Sequence, residues 1–286
     1  MHRRLLDLRL KSALIPPLLL FLTGLWACSS DSSGPGQEPG VPTTLSVLEG
    51  EGLQAPAGTI LPEGPTVEVR DQNGAPMEGV IVTFQVLEGD GSTPFSARET
   101  DSQGRAQTDW ILGRTAGTPQ RISASAGPGL SLEIQATAVE PQAGGSYVGG
   151  KGYIEYLPGT LPLVLSAPHG GDLRPIEIPD RTYGTMARDT NTRELALQIR
   201  DKLKDQTGFY PHIIISHLHR TKLDPNREVV EAAQGDPEAI RAWWEFQTFI
   251  ENAERLVEES HGEGLYIDLH GHGHDIQRLE LGYLLS

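Results

Sequence analysis

The sequence predicts two unlike folded domains in series: an all-β sandwich over residues 43–140, then an α/β domain over residues 150–286 whose mainly parallel mixed sheet is flanked by helices. Three observations predict it. Up to residue 140, short runs of period-two alternation are separated by turn signals. Beyond residue 150, apolar strand-length runs alternate with long segments of helical period. Between and before these regions lie residues 29–42 and 141–149, rich in Gly, Pro and small residues, which read as a tether and a linker. A length of 286 residues suits two domains.

Composition narrows the function classes. Apolar residues at 37% and charged residues at 21% are ordinary for a globular protein. A formal net charge of −15 argues against a nucleic-acid partner, because phosphate binding needs clustered Lys and Arg. Cys28 is the single cysteine, so no intramolecular disulfide can form. After the N-terminus no apolar run reaches the ~18 residues needed to span a bilayer.

Residues 1–28 read as an address. His2-Arg3-Arg4, Arg9 and Lys11 make a basic start, and Leu14–Trp26 is an apolar stretch followed by small residues. This is the three-part layout of a secretory signal peptide. Leu25-Trp26-Ala27-Cys28 resembles a bacterial lipobox, with Trp26 bulkier than the usual residue there. The resemblance implies diacylation of Cys28 and cleavage before it. Two acyl chains suffice for stable anchoring, so the expected location is the cell envelope, with the membrane as partner through Cys28.

In the first domain, Thr66–Arg70, Val80–Val86 and Leu130–Ala136 are the clearest strands. Asp71-Gln72-Asn73-Gly74, Gly89-Asp90-Gly91 and Asp101-Ser102-Gln103-Gly104 are turns. Short strands at regular spacing with no helical period suggest an immunoglobulin-like sandwich. The stretch from Val69 to Phe84, followed by Thr100–Ala106, resembles bacterial Ig-like domains of the invasin/intimin type. That resemblance implies a stalk or spacer, with adhesion or carbohydrate binding as the alternative.

The second domain carries the chemistry-bearing residues. Eight of the nine histidines lie beyond residue 150. Leu161–Ser166 reads as a buried strand, Asp189–Leu203 as a helix, and His212–His217 as a strand. Pro237–Glu259 is a long amphipathic helix, and Leu265–Leu269 is a third strand. Strand-helix alternation implies parallel strands with crossovers, whose ligands bind beyond the strands' carboxyl ends. His169, the Arg220–Arg227 segment and Asp268-Leu269-His270-Gly271-His272-Gly273-His274 follow those three ends. Two neutral imidazoles, one carboxylate and an open position make a catalytic zinc set. A nearby guanidinium can grip a carboxylate or a developing oxyanion. The residue types suit hydrolysis of an amide whose substrate bears a carboxylate.

Ser166-x-Pro168-His169-Gly170-Gly171, Asp189-x-x-Thr192, Arg220-x-x-x-Asp224-x-Asn226-Arg227 and Asp268-x-His270-Gly271-His272 resemble, in that order, the motifs of the N-formylglutamate amidohydrolase family, whose fold is similar to the zinc carboxypeptidases. The resemblance covers about residues 150–286. It implies one zinc ion held by His169 and His270. For the acidic ligand, Asp172 stands three residues after the first His, whereas Asp189 opens the following helix and is preferred. His272 is the alternative to His270, and His274 is a candidate for substrate contact. The resemblance further implies that Asn226 and Arg227 hold a substrate carboxylate and that Arg220 polarises the scissile carbonyl. Glu280 is the late candidate for the general base. The chain ends in what reads as a strand, so a C-terminally shortened domain is expected. Asp268 reads as the carboxylate that orients a ligand histidine or as a strand-end cap. His212, His217, His219 and His261 read as structural or exposed, and Trp243 and Trp244 as helix packing.

The expected function is therefore a zinc-dependent amidohydrolase on an envelope lipoprotein, acting on an N-acyl amino acid, a peptide or a peptidoglycan fragment. The alternative is a non-catalytic binding or adhesion protein with a degenerate hydrolase domain.

Overall fold

A computed structural model describes residues 40–273 and residue 275. The proposed signal peptide, Cys28, most of the tether, His274 and Glu280 lie outside the described residues. Among those described, no helix is long and apolar enough to cross a membrane.

The first eight strands build two stacked sheets. β1 (Pro42–Glu49), β3 (Thr66–Asp71) and β6 (Arg105–Gln107) form one, in the order β1-β3-β6. β2 (Leu53–Pro56), β4 (Ile81–Glu88), β5 (Ala97–Glu99), β7 (Pro119–Ser125) and β8 (Ser131–Val139) form the other, in the order β2-β8-β7-β4-β5. Alternation in β4 and β8 turns every second residue inward. Val67, Val69, Val82, Phe84, Trp110, Ile122 and Ile134 meet in one buried cluster between the sheets. Asp71 and Asp101 close their turns by accepting main-chain N–H bonds from Asn73 and Ala75, and from Gln103 and Arg105.

The rest of the chain folds around a five-stranded sheet in the order β13-β11-β12-β10-β9. Its elements are β9 (Tyr147–Val148), β10 (Ile154–Leu157), β11 (Leu163–Ala167), α1 (Thr192–Thr207), β12 (His212–Ser216), α2 (Val229–Ala233), α3 (Pro237–His261) and β13 (Leu265–Asp268). β11 runs parallel to β12 and β13, whereas β10 is antiparallel to β12 and β9. The expectation of a mainly parallel sheet is corrected here. β9 and β10 are short, lie among glycines and join by hairpin pairing, which apolar periodicity does not register.

Helices cover both faces of this sheet. Val164 and Ile214 pack with Phe246, Phe249, Ala253 and Val257 of α3. Their sequence neighbours Leu165, Ile213 and Ile215 pack with Ala196, Leu197 and Ile199 of α1. Strands buried on both faces read as continuous apolar runs for this reason. From β11 the chain passes through α1 to β12 on one side, and from β12 through α3 to β13 on the other. The carboxyl ends of β11, β12 and β13 therefore surround a switch point, the place where open α/β sheets bind ligands.

α3 begins with Asp236 accepting from the Ala239 N–H and Pro237 in the first turn. It also ties the sandwich to this sheet. Arg241 bonds the Asp109 carboxylate and the carbonyls of Leu61 and Pro62, and Asn252 bonds the Ala57 carbonyl.

Candidate functional site

His169 sits two residues beyond the end of β11, at the base of a turn pressed into the fold. A Cβ on Gly170 would stand 2.8 Å from the Arg193 nitrogen, and one on Gly171 would stand 2.2 Å from the His217 carbonyl oxygen. The glycines thus admit the protein's own backbone at close approach. The turn is tied to the start of α1, because the Asp189 N–H donates to the His169 carbonyl at 3.0 Å. Thr192 Oγ1 in turn donates to the Asp189 carbonyl. Asn191, the N-cap of α1, has a left-handed backbone with φ of 68° and makes no side-chain cap bond.

Three ligand-type atoms meet at this end of the sheet. His169 Nδ1 lies 3.2 Å from His270 Nδ1 and 3.3 Å from Asp189 Oδ2. His270 Nδ1 lies 3.0 Å from the same oxygen. A tetrahedral ion about 2.0–2.1 Å from each ligand places the ligand atoms about 3.3–3.4 Å apart. The observed triangle matches that requirement to within a few tenths of an ångström. Two imidazoles and one carboxylate also form the chemically appropriate donor set for zinc. Among the described residues, His169, Asp189 and His270 are the group of His, Cys, Asp and Glu that can hold a metal. Asp172 is elsewhere: its side chain is 71% exposed and pairs with Arg188 at 3.4 Å. His272 is exposed and outside this group.

Both rings are fixed from behind. His169 Nε2 is 2.8 Å from Asp224 Oδ1, and His270 Nε2 is 2.8 Å from Asp268 Oδ2. A carboxylate on the remote nitrogen takes the N–H there and leaves the Nδ1 lone pair facing the shared point. Asp224 is fully buried, accepts from Arg220 Nε at 3.0 Å, and lies 3.8 Å from Arg181 Nη1. Burial by itself would raise its pKa, but His169 and Arg220 outweigh burial and hold it at about 2. Asp189 and Asp268 are also lowered against the opposing effect of burial, the first chiefly by His169 and His270, the second by His270, Ser166 and Asn226. Asp189 and Asp268 raise the pKa of His270 to about 9. The surroundings thus favour positive charge where the three lone pairs meet, which is the electrostatic counterpart of a cation site.

The remaining candidates lie close by. Arg220 is buried, with Nη1 3.8 Å from Asp189 Oδ1, so it bridges the two acids beside His169. Asn226 Nδ2 donates to Asp268 and lies 3.1 Å from His270 Nε2. Arg227 is half-exposed and 3.6 Å from Glu231. Asn226, Arg227, Trp243, Gln247 and Tyr266 line an adjoining cavity of about 230 Å³. Asp224 was named in the sequence only as part of a motif. Its signal was an acid four residues after an arginine at a strand end, but its partner, His169, is 55 residues away.

His212, His217, His219 and His261 hold structure. His212 is buried against Tyr156, whose hydroxyl is 2.8 Å from Nδ1. His217 meets Glu155, His219 meets Arg174 and Thr221, and His261 meets the Thr160 carbonyl.

No protein-family model and no curated protein matches the chain. Partial likenesses to solved structures are found among bacterial proteins. The D00–D0 domain of intimin is 20% identical, with a TM-score of 0.27, over 37% of this chain and 50% of that one. The Yersinia pseudotuberculosis adhesin InvE is 13% identical, with a TM-score of 0.31, over 42% and 41%. A conjugative transposon lipoprotein from Bacteroides eggerthii is 13% identical, with a TM-score of 0.22, over 32% and 92%. The chain spans half or less of the intimin and InvE structures. These likenesses are partial.

Proposed function

We propose that the chain is a zinc-dependent amidohydrolase whose metal is held by His169, Asp189 and His270. The convergence of three ligand atoms within 3.3 Å of one another carries this reading. The chemistry such an ion supplies when bound is a water acidified toward neutrality and a polarised carbonyl. The chain's own residues do the rest. Asp224 and Asp268 fix the tautomer and direction of the two imidazoles. Arg220 places a guanidinium beside Asp189, where positive charge stabilises an oxyanion. Arg227, in the adjoining cavity, is available to a substrate carboxylate. Asn226 is bonded to Asp268, so its amide nitrogen supports the ligand shell before it supports substrate. Glu280 remains the proposed general base, outside the described residues. The motif resemblance to N-formylglutamate amidohydrolases supports an amide bearing a carboxylate as substrate. The resemblance of Leu25–Cys28 to a lipobox supports an envelope location, hence an N-acyl amino acid, peptide or peptidoglycan fragment.

One observation favours a second reading, a non-catalytic envelope binding or adhesion protein. Each carboxylate that the structure places against the cluster is already engaged: Asp189 with both rings, Asp224 with Arg220, and Asp268 with Ser166 and Asn226. The resemblance of the sandwich to invasin/intimin modules is compatible with it. Turnover separates the two. The zinc-loaded chain is assayed on N-formylglutamate, N-acyl amino acids, peptides and peptidoglycan fragments. Hydrolysis whose KM rises in Arg227→Ala supports the enzyme. Stoichiometric zinc with no cleavage across that panel favours the binding protein.

A further inference from the structure

We infer that Ser166 and Tyr266 are positioning residues that act in series, through Asp268, on His270. The inference rests on the metal-site reading above and extends it to residues that contact no ligand atom. Ser166 and Asp268 are paired across the parallel strands β11 and β13, so their side chains share one face of the sheet. Tyr266 precedes Asp268 by two residues and shares that face. Ser166 Oγ contacts Asp268 Oδ1 and lies 2.7 Å from the Tyr266 hydroxyl.

The direction of each bond follows from the chemistry. An ionised carboxylate only accepts, so Ser166 gives its single proton to Asp268. Ser166 Oγ must then accept from Tyr266, whose phenol is neutral because burial and the Asp268 charge raise its pKa. Asp268 Oδ2 is left to accept from His270 Nε2. The result is one ordered chain in which Tyr266 donates to Ser166 and Ser166 to Asp268, whose other oxygen holds the ring carrying a proposed ligand nitrogen. Ser166 is fully buried, so water does not replace it readily. Tyr266 also lines the cavity beside Asn226 and Arg227, so the wall of that cavity and the ligand ring share one hydrogen-bonded chain.

The test is zinc affinity, measured by competition with a chromophoric chelator on the full chain, for wild type, Ser166→Ala, Tyr266→Phe, the double variant and Ser166→Thr. The visible spectrum of the cobalt-substituted proteins is recorded in parallel. Loss of a group that orients a ligand typically weakens metal binding about 10–100-fold. Ser166→Ala is expected to fall in that range, with an altered cobalt spectrum, and Tyr266→Phe to fall by less. Two results identify the series arrangement. Tyr266→Phe has no further effect once Ser166 is alanine, and Ser166→Thr restores affinity. Zinc bound by wild type, Ser166→Ala and Tyr266→Phe with equal affinity overturns the inference while leaving the metal site intact. Fully additive losses overturn the series arrangement. A wild-type chain that binds no zinc removes the metal-site reading and this inference together.

Discussion

His169 and His270 are 101 residues apart in the chain, yet their Nδ1 atoms face each other across 3.2 Å at the ends of adjacent strands. Two imidazole lone pairs at that distance repel unless a cation or a proton stands between them. Asp189 Oδ2 closes the triangle. The geometry favours positive charge at this end of the sheet.

Asp224 is predicted to be the carboxylate on which both stability and metal affinity depend. It is fully buried among His169, Arg220 and Arg181. Removing one partner of a buried charge network typically costs about 3–5 kcal/mol, because the guanidiniums lose their counter-charge. Asp224→Ala should therefore lower stability in urea by roughly that amount, and Asp224→Asn by less. Zinc affinity should fall by about 10-fold or more in both. A neutral urea profile for Asp224→Ala contradicts the network.

Gly171 is predicted to be intolerant of any side chain. A Cβ there would stand 2.2 Å from the main-chain carbon and oxygen of His217, neither of which can rotate away. Overpacking of this kind costs about 1–3 kcal/mol. Gly171→Ala should lose at least that much and should weaken zinc binding, because the turn carrying His169 must shift. Thermal unfolding with and without zinc reads both effects.

Two buried groups are predicted to give opposing pH dependences. Burial lowers the pKa of His212 from 6.5 to about 4. Between those values the unfolded chain binds a proton that the folded chain refuses, so this contribution to stability is lost as pH falls, by about 1.4 kcal/mol per unit. Burial raises the pKa of Glu245 from 4.5 to about 7. There the folded chain keeps a proton that the unfolded chain has released, so its contribution is lost as pH rises from about 4.5 to 7. Relative to wild type, Glu245→Gln should make stability climb more steeply from pH 4.5 to 6.5, and His212→Gln should make it climb less. Urea unfolding of the three proteins at three pH values checks the sign, and parallel profiles contradict it.

Local pattern made much of this fold legible. The helical period of Ile240, Phe246, Ile250, Ala253 and Val257 marked α3 because that face packs on the sheet. Ile213-Ile214-Ile215 marked β12 because both of its faces are covered. Alternation marked β3, β4 and β8 because one face of each sheet meets the other sheet. What escaped was set by pairing at a distance. Tyr147–Val148 and Ile154–Leu157 are too short for a period to show, and their antiparallel pairing depends on β12. At the site, the strand-end rule pointed to His169, His270 and the segments that hold Asp224 and Asp268, but not to which ring each carboxylate backs. Asp268 was read as an orienting residue from its place beside His270. Asp224 was not, because nothing local in the sequence ties it to His169. The bonds from Arg241 and Asn252 to the sandwich join residues more than a hundred positions apart and left no local mark.

The most direct measurement is an equilibrium zinc titration of the full chain beside its His169→Ala, Asp189→Ala, His270→Ala and Asp172→Ala variants. A three-ligand site predicts one zinc per wild-type and per Asp172→Ala chain with equal affinity, and a loss of about 100-fold or more in each of the other three. Equal zinc binding by wild type and His169→Ala, or a loss confined to Asp172→Ala, contradicts it.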